Sequence, residues 1–110
     1  MTIVSKSQLK QWIGANQDLT IIDVLPPDSF AKRHIPGAIN IPFQGNDRFV
    51  QEVAQHVALK DQRIVVYCAN RMCDLSKKAA QVLGEAGYND VLLYEEGVEG
   101  WFSKGVSEAA

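Results

Sequence analysis

Short apolar runs that alternate with amphipathic stretches dominate the pattern of hydrophobic and polar positions along the chain. Residues 20–24, 38–41, 63–67 and 91–94 are short, apolar and bounded by turn-forming or polar residues, which predicts four strands. The run 63–67 is almost wholly apolar after its first residue. Such runs are typical of strands that are buried on both faces of a sheet.

The segments between these runs carry apolar residues at helical spacing. Ser5 and Gln8 have the spacing of a capping box, which predicts that a helix starts there. Four further helices are predicted. The second starts at Pro26-Pro27-Asp28, and the third carries an apolar stripe made of Phe49, Val50, Val53, Ala54 and Val57. The fourth covers 74–86, and the last extends through Trp101. This alternation predicts one α/β domain over 1–110, with a mainly parallel central sheet flanked by helices.

Composition and charge narrow the classes of function. The chain has 110 residues, of which 46% are hydrophobic and 22% are charged, as expected for one globular domain. Its net charge of -2 favours neither nucleic acid nor an anionic membrane. No apolar run approaches the roughly 20 residues that span a bilayer, and no secretory signal is visible. We therefore expect a cytoplasmic protein in a reducing environment.

Cys68 is the strongest candidate for chemistry. It lies where the strand 63–67 stops and the helix 74–86 is about to start. In parallel sheets, ligands gather at the carboxyl ends of strands. Free N–H groups of the loop and of the helix N-terminus favour thiolate over thiol, so Cys68 is a candidate nucleophile. The alternative is a small buried hydrophobe at a strand end.

Several segments resemble a known family. The segment 30–41, which contains His34-Ile35-Pro36-Gly37-Ala38, is similar to the N-terminal signature of rhodanese domains and of the related cell-cycle phosphatases. Ile22-Asp23-Val24, Tyr67-Cys68, 83–88 and 94–101 are similar to other segments of that family. The resemblance extends from about Ile3 to Trp101 and implies a single-domain rhodanese fold.

The resemblance also implies a function. It implies a sulfurtransferase that carries sulfane sulfur as a persulfide on Cys68, from donors such as thiosulfate or polysulfide to a thiol or cyanide. It implies no cofactor, and its partners would be small sulfur-containing substrates and a thiol-bearing protein. The anion would be bound by the loop backbone of Ala69, Asn70, Arg71, Met72 and Cys73.

The loop departs from both branches of this superfamily. Phosphatases resemble Cys-x5-Arg, whereas the sixth position after Cys68 is Asp74, an anion where a phosphate clamp needs a cation. The common rhodanese loop has arginine at the fifth position, followed by Ser or Thr, and these positions are Cys73 and Asp74 here. The anion at position 74 therefore disfavours a phosphatase function. Arg71 is either a replacement contact to the substrate or a solvated surface residue.

Cys73 leaves two interpretations open. A loop that curls back would bring the Cα atoms of Cys68 and Cys73 within the roughly 4.4–6.8 Å that a disulfide allows. Cys73 would then be a resolving thiol for persulfidated or oxidised Cys68. Alternatively, it starts the helix with its side chain turned into the core. No metal site is expected, because zinc ligands normally arrive as two close pairs.

Two functions other than sulfur transfer stay open. One alternative is a redox switch that uses a Cys68–Cys73 disulfide, and the other is a non-catalytic binding module with the rhodanese fold.

Asp23 and His34 are expected to make structural hydrogen bonds. Solvated helix faces are expected to carry His56, Lys77 and Lys78, and the core is expected to contain Trp12 and Trp101.

Overall fold

A computed structural model describes residues 2–103, which form five strands and five helices. The strands are β1 (Thr2–Ile3), β2 (Leu19–Asp23), β3 (Ile39–Asn40), β4 (Arg63–Tyr67) and β5 (Val91–Leu93). The helices are α1 (Lys6–Gly14), α2 (Pro27–Lys32), α3 (Asn46–His56), α4 (Leu75–Glu85) and α5 (Gly97–Phe102). All strands lie in one parallel sheet, in the order β1-β5-β4-β2-β3. The expected α/β class with a parallel sheet is confirmed.

Both faces of the sheet are buried, which explains why the strand sequences lack alternation of apolar and polar residues. Successive side chains of a strand point to opposite faces. Ile22 and Val66 therefore lie in the core that α3 and α4 cover, whereas Ile21 and Val65 lie in the core that α1 and α5 cover. The main core residues of the first helix pair are Phe49, Val53, Ala79 and Leu83, and those of the second are Leu9 and Val98.

Several sequence-based expectations need correction. β1 was not predicted, because it has only two residues and both are exposed; it is defined by its pairing with β5. Ala54, expected on the apolar stripe of α3, is exposed. Trp12 and Trp101 are half-buried rather than core residues, and each ring carries a cation above it: Arg63 lies 4.5 Å from the first ring and Lys10 lies 5.5 Å from the second. The expectation of one domain over 1–110 stays a prediction, since residues 1 and 104–110 lie outside the described residues.

Asp23, at the carboxyl end of β2, organises the loops beside the central strands. Its Oδ1 accepts a hydrogen bond from the Leu25 N–H at 2.9 Å, and its carbonyl accepts one from Asn40 Nδ2 at 3.0 Å. The Tyr67 hydroxyl, in the facing position of β4, accepts a hydrogen bond from the Ile35 N–H at 3.1 Å. These contacts agree with a structural role for Asp23.

His34 also has structural contacts. Its Nδ1 lies 2.8 Å from the Phe30 carbonyl, and its ring stacks on the Phe30 ring with the centroids 3.8 Å apart. Residues three to four positions apart lie on one side of a helix, so the His34 ring packs on the last turn of α2. His34 is therefore a packing residue of the turn that follows α2.

We predict that Asp23→Asn does not destabilise the protein at pH 7.5. Burial raises the pKa of the Asp23 carboxyl, and this effect outweighs the opposing contributions of the Leu25 N–H, Tyr67 and His34. A carboxyl whose pKa is raised in the folded state stabilises that state while it is protonated. The contribution is lost as the pH rises through the folded-state pKa. Asparagine keeps an acceptor oxygen without acquiring a charge.

Urea unfolding between pH 4 and pH 7.5 tests this prediction. The variant should show a flatter dependence of unfolding free energy on pH than the unmodified chain. Asp61→Asn is the matched control, because Asp61 is exposed and should leave the pH dependence unchanged. A clear loss of stability in Asp23→Asn at pH 7.5 would contradict the prediction.

Candidate active site

Cys68 directly follows the central strand β4 and is only 2% exposed. Its neighbours across the sheet are the residues that follow β2 and β5. The carboxyl ends of the three longest strands therefore meet around this thiol. This is the position at which parallel α/β sheets bind ligands.

The first turn of α5 fixes the backbone of Cys68 and Ala69. The Val98 N–H donates to the Cys68 carbonyl at 2.9 Å, and the Glu99 N–H donates to the Ala69 carbonyl at 3.0 Å. The first N–H groups of a helix have no partner within it, so the loop carbonyls satisfy two of them. Because a trans peptide directs its C=O and N–H to opposite sides, the N–H groups of Ala69 and Asn70 point away from α5.

Gly97 allows this close approach of loop and helix. A Cβ atom at this position would lie 2.5 Å from the carbonyl oxygens of both Cys68 and Ala69. The φ of Gly97 is +69°, a region that side chains other than glycine rarely adopt. The sequence placed Gly97 in a family segment, but its contact with the cysteine loop is visible only in the fold.

Cys68 and Cys73 form a disulfide. Their Cα atoms are 6.4 Å apart, within the range expected from a loop that curls back. Cys73 does not start the helix, since α4 begins at Leu75. Its side chain is partly buried against the core beneath α4. The loop therefore brings the two thiols together, as one of the two sequence interpretations requires.

Ser76 is a site residue that the sequence analysis missed. Its Oγ lies 3.2 Å from the Cys68 Sγ, and the side chain is 2% exposed. The family pattern placed a hydroxyl at position 74, which is Asp74 in this chain and directly precedes α4. The available signal was helical spacing, because Ser76 shares the buried face of α4 with Ala79, Ala80 and Leu83.

The surroundings of the Cys68 sulfur combine a donor with an acceptor. The Ser76 hydroxyl can donate to a thiolate, and the first turn of α4 places the positive end of a helix dipole beside it. The Cys73 carbonyl oxygen lies 3.4 Å from the same Sγ and accepts only from a protonated thiol. The site therefore has a group that stabilises each protonation state of reduced Cys68.

Asn70 organises the tip of the loop. Its Oδ1 accepts a hydrogen bond from the Met72 N–H at 2.9 Å, and its carbonyl accepts one from the Cys73 N–H at 3.1 Å. In the disulfide form, two of the five N–H groups expected to bind an anion are therefore used within the loop. The Met72 side chain is 92% exposed at the tip.

The side chains of Asn70 and Arg71 are tied to carboxylates that follow β5. Arg71 Nη1 lies 2.6 Å from Glu95 Oε1, and Asn70 Nδ2 donates to Glu99 Oε2 at 3.1 Å. A cleft of about 360 Å³ lies beside these contacts. Its lining comprises Asn70, Arg71, Met72, Glu96, Glu99 and Gly100. Arg71 is thus largely exposed, but it is held in an ion pair.

Two kinds of feature are absent from the described part of the chain. Within residues 2–103, no three His, Cys, Asp or Glu side chains are grouped so that they could hold a metal ion. No helix in the same range has the length and apolar character needed to cross a membrane.

The chain belongs to the rhodanese-like domain family, and the model of that family matches residues 5–104. It is 33% identical to the thiosulfate sulfurtransferase GlpE of Shewanella oneidensis over 98 residues, which cover 89% of each protein. The fold is similar to that of a thiosulfate sulfurtransferase from Pseudomonas aeruginosa, with a TM-score of 0.80 and 26% identity over 92% of this chain and 18% of that one.

Some relatives are longer than this chain. It is 33% identical over 86 residues to an HTH-type transcriptional regulator of Mycobacterium tuberculosis. That match covers 76% of this chain but 34% of the regulator. This chain therefore spans about a third of the length of that relative.

We predict that Gly97→Ala lowers the free energy of unfolding by about 2 kcal/mol or more, because of the positive φ and the contact with the loop carbonyls. Gly84→Ala is the matched control. Gly84 is an exposed residue of α4 whose Cβ would meet nothing within 4 Å. That variant should gain roughly 0.5–1 kcal/mol. Urea unfolding of both variants checks the prediction, and equal stabilities would contradict it.

Proposed function

We propose that this protein is a rhodanese-type sulfurtransferase in which Cys68 carries sulfane sulfur as a persulfide. One observation supports this most directly: Cys68 lies at the carboxyl end of the central strand, 3.2 Å from the Ser76 hydroxyl in the first turn of α4. This arrangement favours a reactive thiolate without a neighbouring general base. The relatives named thiosulfate sulfurtransferase support the same class of reaction.

In the first half-reaction, the Cys68 thiolate attacks the outer sulfur of the donor. With thiosulfate, the new bond joins the Cys68 Sγ to this sulfur, the bond to the sulfonate sulfur breaks, and sulfite leaves with its electron pair. The product is the Cys68 persulfide. The Ser76 hydroxyl and the N–H groups that point away from α5, those of Ala69 and Asn70, are the donors we assign to this anion.

In the second half-reaction, a nucleophile removes the outer sulfur. Cyanide forms thiocyanate, whereas a thiolate of a small molecule or of a protein partner forms a new persulfide. In each case Cys68 returns as a thiolate, so the cycle needs no cofactor. We place this chemistry in a reducing compartment such as the cytoplasm, where thiols are available as acceptors and as reductants.

Cys73 adds a branch to this cycle. Its thiolate can attack the Cys68 Sγ of the persulfide, which forms the Cys68–Cys73 disulfide and releases the outer sulfur as hydrosulfide. A dithiol reductant then reopens the disulfide. The Cα separation of 6.4 Å supports this branch. The same disulfide makes a redox switch the second candidate function, because peroxide would close it without any sulfur donor.

The intact mass of the reduced protein after treatment with thiosulfate or polysulfide tests the main proposal. We expect a species that is heavier by one sulfur atom and is absent in Cys68→Ser. The redox switch replaces the sulfurtransferase as the best function if the protein only loses two hydrogens, releases no hydrosulfide, and gains no sulfur in Cys73→Ser. If no change occurs, a non-catalytic binding module is favoured.

A second experiment tests the branch through Cys73. In Cys73→Ser, we expect the Cys68 persulfide to persist, because no neighbouring thiolate can displace its outer sulfur. The unmodified chain should release hydrosulfide and form the disulfide, which methylene blue detection and mass spectrometry can follow. Equal persulfide lifetimes and equal hydrosulfide release in both proteins would exclude a resolving role for Cys73.

A further inference from the structure

The cysteine loop contains a single cation, and this cation is already neutralised. Arg71 is the only basic residue between Cys68 and Asp74, and its Nη1 lies 2.6 Å from Glu95 Oε1. The next cation along the chain, Lys77, lies 4.0 Å from Asp74. A dianionic donor that approaches Cys68 therefore meets no unpaired positive charge within the loop itself.

Glu95 is in a position to hold this pair. It follows Tyr94, whose N–H donates to the Val66 carbonyl at 3.0 Å, so its backbone is fixed beside the carboxyl end of β4. The Glu95 side chain is 23% exposed, whereas that of Arg71 is 64% exposed. The more rigid and more buried partner is the carboxylate. The orientation of Arg71 is therefore determined by Glu95.

We infer that Glu95 determines which sulfur donors the site prefers according to their charge. This inference rests on the proposed sulfurtransferase function. By pairing with Arg71, Glu95 disfavours dianionic donors such as thiosulfate. The site is left to donors that bear one negative charge or none.

Two small donors that differ by one charge separate this effect from general reactivity. Thiosulfate is a dianion, and methanethiosulfonate has a methyl group in place of one anionic oxygen. Each transfers its outer sulfur to the Cys68 thiolate, and the leaving group is sulfite in the first case and methanesulfinate in the second. Cyanide then removes the sulfur as thiocyanate, so a single assay measures kcat/KM for both.

The expected result in Glu95→Gln is a gain that scales with donor charge, because an unpaired Arg71 attracts each negative charge on the donor. Since Arg71 is largely exposed and screened, we expect kcat/KM to rise about tenfold for thiosulfate and about threefold for methanethiosulfonate. Most of the gain should appear in KM. The preference for thiosulfate over methanethiosulfonate should therefore rise about threefold, and it should shrink as salt is added.

Two further variants identify the pair as the cause. Glu96→Gln removes the same charge from a carboxylate that is not paired with Arg71, so the preference should change less than about twofold. Adding Arg71→Gln to Glu95→Gln should abolish the gain. Urea unfolding confirms that the variants keep the fold.

The outcomes are distinguishable from a failure of the proposed function. If both donors yield thiocyanate but Glu95→Gln leaves the preference unchanged, only the inference is wrong. The same holds if Glu96→Gln or the double variant shows an equal gain. If neither donor yields thiocyanate or a Cys68 persulfide in the unmodified chain and in Glu95→Gln, the proposed function fails and the inference fails with it.

Discussion

The contact between the cysteine loop and the first turn of α5 is the constraint on which the rest of the site depends. Two N–H groups of α5 hold the carbonyls of Cys68 and Ala69, and Gly97 permits the two backbones to meet. With these carbonyls fixed, the directions of the following N–H groups are fixed as well. From there the loop turns towards α4, where Ser76 and Cys73 meet the Cys68 sulfur.

The rest of the cysteine loop changes its chemistry with the redox state of Cys68 and Cys73. In the disulfide form, Asn70 uses the N–H groups of Met72 and Cys73, and Cys68 has no free thiol. Reduction would restore a thiolate beside Ser76 and the α4 N-terminus. The proposed cycle uses both forms: the reduced one accepts sulfur, and the disulfide follows when Cys73 displaces it. We infer that the Arg71–Glu95 pair affects the choice of donor rather than the reactivity of the Cys68 sulfur.

Much of the fold could be predicted because its signals are local. The run 63–67 and the capping box at Ser5 specify their elements within a few residues, and β4 has the predicted bounds. The two-residue strand β1 could not be predicted, since its identity comes from pairing with β5. The sequence predicts Cys68 from its place between a strand and a helix, and it predicts Cys73 beside it from a loop that curls back. The role of Ser76 depended on where α4 begins. The Arg71–Glu95 pair joins the loop after β4 to a residue 24 positions later that follows β5, a contact that only the fold creates.

A single-turnover experiment with labelled sulfur tests whether the transferred sulfur passes through the Cys68 side chain. Thiosulfate labelled only at its outer sulfur is added to the reduced protein, excess donor is removed, and cyanide follows. The label should appear first on the peptide that contains Cys68 and then in thiocyanate, in equal amount in Cys73→Ser and reduced in the unmodified chain by the label released as hydrosulfide. Labelled thiocyanate formed at the same rate by Cys68→Ser, or a label found on Cys73 alone, would contradict transfer through Cys68.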